Sequence, residues 1–67
     1  MMDRSSAMNT IMALLNEGDV MVPGSKTHEI VSAYISFKID RLGPDEALED
    51  VRLTKDHMLA QIQQMAM

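Results

Sequence analysis

The chain has 67 residues, ten of them acidic and six basic, and it contains no cysteine. A chain of this length forms one domain with a thin core, because folding hides only about 60% of the surface that the unfolded chain exposes. The lack of cysteine excludes a disulfide and a thiolate zinc site, and a formal charge of −4 disfavours binding to nucleic-acid phosphates. We therefore expect a single domain over residues 1–67 that is stabilised by regular packing or by a partner subunit.

The cellular location is expected to be the cytoplasm. No apolar run approaches the roughly 20 residues that a membrane-spanning helix needs, so no membrane contact is predicted. The first fifteen residues include an acidic side chain, and their apolar stretch is too short for a signal peptide. The lack of cysteine also fits a reducing compartment.

The first predicted helix covers about residues 6–17. Ser5 and Ser6 are candidate N-caps, because a hydroxyl can accept hydrogen bonds from the free backbone N–H groups of a first helical turn. Its apolar side chains recur at spacings of three and four, which places them on one face: Ala7, Met8, Ile11, Leu14 and Leu15. The helix is expected to end at Gly18. In the loop that follows, the apolar residues 20–22 either cover the core or belong to a contact surface.

The second predicted helix covers residues 26–42. Ser25 or Thr27 can cap its start, and Gly43 can end it. The stretch AYISFKID within it also alternates between apolar and polar residues and is rich in β-formers, so a strand in residues 30–40 stays open. We prefer the helix, because the run is longer than a usual strand and carries a cap at each end.

Two apolar stripes run along this second helix. One consists of Ile30, Ala33, Tyr34 and Phe37, and the other of Val31, Ile35, Ile39 and Leu42. A helix that is apolar on two sides takes a central position. It should pack against both other helices, or against one of them and a second molecule.

The sequence RLGPDEALEDV, residues 41 to 51, predicts a sharp bend and a third helix over 44–66. Gly43 can adopt the positive φ that ends a helix, and Pro44 has its φ already set for a first helical position. Four carboxylates follow in the first two turns, where the positive end of the helix dipole stabilises them: Asp45, Glu46, Glu49 and Asp50. A connection this short makes the two helices antiparallel neighbours.

The third helix carries one apolar stripe and extends beyond its partner. The stripe contains Ala47, Leu48, Val51, Met58, Leu59, Ile62, Met65 and Ala66. At 1.5 Å per residue the helix is roughly 33 Å long and the second helix roughly 24 Å. The overhanging end, AQIQQMAM, is uncharged and must meet the first helix, a second subunit or a target. The fold class is therefore all-α, a three-helix domain built on an antiparallel helical hairpin.

Signals for catalysis or metal binding are weak, and we predict a protein that is not an enzyme and has no cofactor. No glycine-rich phosphate loop, nucleophile turn or paired zinc-ligand motif is present. Lys55, Asp56 and His57 are adjacent, so they point to different sides of a helix and do not form a triad. The second histidine, His28, lies in another predicted helix, so no metal site is expected.

A short segment of the second helix resembles a known signature at two positions. Ser36 and Asp40 in SFKID match the Ser-Gln-Glu-Leu-Asp signature of small sporulation-pathway phosphatases of response regulators, which are also helical hairpins. The Gln and Glu of that signature are absent here, and the match covers five residues of the chain. We assign no family from it.

We interpret the chain as a helical protein–protein interaction module, such as a small chaperone, adaptor or inhibitor. Its methionine-rich helical faces would cover an apolar or helical segment of a protein partner, or of a second copy in a homo-oligomer. The candidate partner-binding residues are Met58, Ile62 and Met65 at the overhanging tip, with Met12, Leu15 and Met21 as a second patch. The same six residues also fit the plain core of a three-helix bundle or a homodimer.

The alternative from a different class is a small helix-turn-helix regulator that binds DNA. Three helices with a tight connection are compatible with it. The third helix, however, begins with four acids and ends without charge, which opposes insertion into a DNA groove. Nucleic acid is therefore not the expected partner.

Overall fold

A computed structural model describes residues 2–17 and 21–66 and contains three helices. They are α1, Arg4–Leu15, α2, Lys26–Leu42, and α3, Pro44–Ala66. The all-α class is confirmed, and so are the predicted bounds of the second and third helices. Residues 30–40 belong to one continuous helix, so the strand alternative is excluded.

The predicted cap and bounds of α1 were wrong by two residues at each end. Its N-cap is Asp3, whose carboxylate accepts from the Ser6 backbone N–H at 2.7 Å. This hydrogen bond lowers the pKa of the Asp3 carboxyl below its usual value. The helix then ends at Leu15, before the expected end at Gly18, which lies outside the described residues.

The bend between α2 and α3 consists of a single residue outside the helices, Gly43. Its N–H donates to the Ile39 carbonyl at 2.8 Å and ends α2, and its own carbonyl accepts from the Ala47 N–H at 2.9 Å and begins α3. Its φ is +88°, as the sequence predicts, and Pro44 opens the next helix. At the other end of α2, the Ser25 hydroxyl accepts from the His28 N–H at 3.2 Å.

The core lies along the line where the three helices meet. It consists of Ala7, Ile11, Leu15, Met21, Val31, Ile35, Ile39, Ala47, Val51 and Ile62. Within each helix the core residues are four residues apart, or eleven apart between Val51 and Ile62, which is about three turns, as expected of one buried stripe per helix. Burial of each Ile, Leu, Val or Met side chain stabilises the fold by about 1.5–3 kcal/mol before the entropy loss is counted.

Ion pairs link each helix to the others. Arg4 at the start of α1 contacts Asp40 near the end of α2 at 3.2 Å, so these two helices are antiparallel. Lys38 of α2 pairs with Asp50 of α3. Glu17, just past α1, accepts from Lys55 of α3 at 2.7 Å, which is consistent with α1 and α3 running parallel.

Within the part of the chain that is described, no helix has the length and apolar character to cross a membrane. The apolar stripe of α3 is instead covered by α1 and α2 along most of its length.

Candidate protein-binding groove between α2 and α3

One of the two apolar stripes of α2 is not covered by the other helices. Val31, Ile35 and Ile39 are buried in the core. The other stripe, which contains Ile30, Tyr34 and Phe37, lies on the surface. Its large side chains are about half exposed: Ile30 at 49%, Tyr34 at 51% and Phe37 at 58%. A single such residue on a surface is ordinary, but a contiguous apolar row along one helix is typical of a contact surface.

This stripe forms one wall of a groove, and α3 forms the other. The groove has a volume of about 510 Å³, within the range of about 300–1,000 Å³ that ligand pockets occupy. It is lined by Ile30, Val31, Tyr34, Lys38, Asp50, Thr54, His57, Met58, Gln61, Ile62 and Met65. Apolar side chains dominate the part near the start of α2, and the charged pair Lys38–Asp50 lies nearer the bend.

The charged groups inside the groove neutralise each other. The Lys38 ammonium donates to the Asp50 carboxylate and lies 5.6 Å from the centre of the Tyr34 ring. The hydrogen bond to Asp50 is the main reason that the pKa of Lys38 is raised above its usual value, and Tyr34 adds to the effect. The pair ties α2 to α3 and leaves the groove without a net charge from these two side chains.

Two polar side chains on the α3 wall, His57 and Gln61, contact each other. The side-chain nitrogens of His57 and Gln61 lie 3.2 Å apart, one helical turn along the same face. A general base is usually oriented by a third group, and His57 here contacts an amide rather than a nucleophile. Among residues 2–17 and 21–66, no group of three or more His, Asp or Glu side chains could hold a metal ion.

The three predicted binding residues of the α3 tip come together in the groove, but they differ in exposure. Met65 is 46% exposed at the rim, Met58 is half-buried and Ile62 is 3% exposed. Ile62 therefore serves the core of the single chain. The tip does not overhang as freely as its length predicts, because Ile62 is buried in the same core cluster as Val31 of α2.

The second predicted patch is not a surface of the single chain. Leu15 is completely buried and Met21 is 2% exposed, and Met12 is half-buried against the core. Two hydrogen bonds from the Asn16 side chain hold Met21 in place: Nδ2 donates to the Met21 carbonyl at 3.0 Å, and Oδ1 accepts from its N–H at 2.8 Å. Of the apolar loop residues 20–22, Met21 is buried in the core and Val22 is 67% exposed, and Val20 lies outside the described residues.

Sequence reasoning did not select Ile30 and Tyr34, which line the groove on α2, or Phe37, which extends the same exposed stripe beyond the groove. Their signal was present in the sequence, since they belong to the apolar stripe of α2 that proves to be exposed.

Comparison with known protein families, with curated proteins and with solved structures finds no match to this chain. Geometry and chemistry are therefore the basis for assigning a role to the groove.

Proposed function

We propose that this protein is a non-enzymatic, cytoplasmic interaction module that binds an apolar or helical segment of a protein partner, or of a second copy, in the groove between α2 and α3. The observation that carries the proposal is that the half-exposed Ile30 and Tyr34 line this groove, with Phe37 extending the same uncovered stripe towards the bend. Covering a half-exposed aromatic side chain removes a large apolar area from water, at about 25 cal/mol per Å².

The groove has the form that helix-in-groove recognition uses. Its anchors on α2 recur at intervals of three and four residues, and those on α3 do the same. Two antiparallel helices packed side by side leave a furrow that a further helix can fill, as in four-helix bundles. The half-buried Met58 and the exposed Met65 can adapt their shape to the segment that binds.

The placement of the basic side chains also favours a protein partner over nucleic acid. Three of the six bases are held in ion pairs within the chain: Arg4 with Asp40, Lys38 with Asp50, and Lys55 with Glu17. Binding to nucleic acid is favoured when basic side chains displace counterions from the phosphate backbone. A base that already pairs with a carboxylate can do this only if that ion pair breaks. We therefore expect no retention on heparin at low salt.

The proposal is tested with the double variant Ile30→Asp, Tyr34→Asp, at the two half-exposed positions of α2 that line the groove. Both positions are about half exposed, so the carboxylates remain in water in the free chain and the helices should stay folded. In a complex the same carboxylates would be buried without a partner, which costs several kcal/mol and should abolish binding. The measurement is affinity capture with the intact chain, followed by mass spectrometry, beside light scattering and circular dichroism on each variant.

The matched control is Leu53→Asp, because Leu53 is 77% exposed on α3 and does not line the groove. The control should keep every association that the unchanged chain has. If the groove variant keeps its helicity and its associations as well, the groove is not the contact surface and the proposal fails.

A further inference from the structure

We draw no further inference here: the strongest candidate, the uncovered apolar groove between α2 and α3 with Ile30 and Tyr34 on its wall, belongs to the site already described, and nothing in the structure shows what covers it.

Discussion

At the scale of single residues, Gly43 determines the shape of the hairpin. Its φ of +88° and ψ of 156° lie in a region that only glycine enters readily. A Cβ added there would meet no heavy atom within 4 Å, so a substitution is opposed by the backbone conformation alone. Any larger residue must either accept this strain or move α3 relative to α2.

We predict that Gly43→Val, Gly43→Ala and Gly43→Asn each lower the free energy of unfolding by about 1–3 kcal/mol. Asparagine should be no more stable at this position than alanine. It tolerates a positive φ when ψ is near +45°, but ψ at this bend is 156°. Urea unfolding followed by circular dichroism measures the change. An unfolding midpoint of Gly43→Asn equal to that of the unchanged chain would show that the bend does not need this conformation.

Short sequence signals at the helix ends predict some of the helix bounds. The Gly43-Pro44 pair and the Ser25 cap act on their own neighbours, so the bounds of α2 and α3 could be predicted from the sequence. Asp3, Ser5 and Ser6 are all favourable N-cap residues, and their similar propensities do not predict which of them caps α1. The structure uses Asp3, which begins α1 two residues earlier than predicted.

At the scale of the helices, α2 has two apolar stripes and buries only one of them. The buried stripe of Val31, Ile35 and Ile39 faces both α1 and α3, and the other remains on the surface. The amino-acid pattern shows both stripes but not which one is inside, because that depends on where the other helices pack. The ion pair of Lys38 with Asp50 is one contact that fixes this choice, since it holds α3 against one edge of the exposed stripe.

The contribution of this ion pair should disappear in alkali. The pKa of Lys38 is raised in the folded chain, mainly by its hydrogen bond to Asp50, above the ordinary value of 10.5. A raised pKa means that the stabilisation is complete below pH 10.5 and is lost as the pH rises through the folded-state value. We expect the free energy of unfolding of the unchanged chain to exceed that of Lys38→Met by a constant amount between pH 7 and pH 9.

Above about pH 10.5 the difference between the two proteins should shrink, and it should vanish above the raised folded-state pKa, where both carry an uncharged side chain at position 38. Lys38→Met is a suitable reference, since it keeps the apolar stem that covers the groove wall. Urea unfolding at a series of pH values measures both curves. A difference that stays constant up to pH 12 would show that the ion pair does not stabilise the fold.

At the scale of the whole molecule, a short α1 leaves part of the hairpin uncovered. α1 has 12 residues and α3 has 23, so α1 is too short to cover α3 along its whole length. The sequence predicts a long third helix, but it does not reveal that the Asn16 side chain holds Met21 in place by two hydrogen bonds. Leu15, Met21 and Ile62, expected on a binding surface, lie in the core instead, and the exposed apolar row is on α2.

Tyr34 provides the most direct test of the groove as a contact surface. It is the single tyrosine of a chain without tryptophan, it lines the groove and it is 51% exposed, so its fluorescence reports on this surface alone. We propose to measure acrylamide quenching of Tyr34 from nanomolar to high micromolar chain concentration, and again after addition of any captured partner. Quenching should fall on association, because the bound helix covers the ring. Association that leaves the quenching of Tyr34 unchanged, or no association under any of these conditions, would contradict a binding role for the groove.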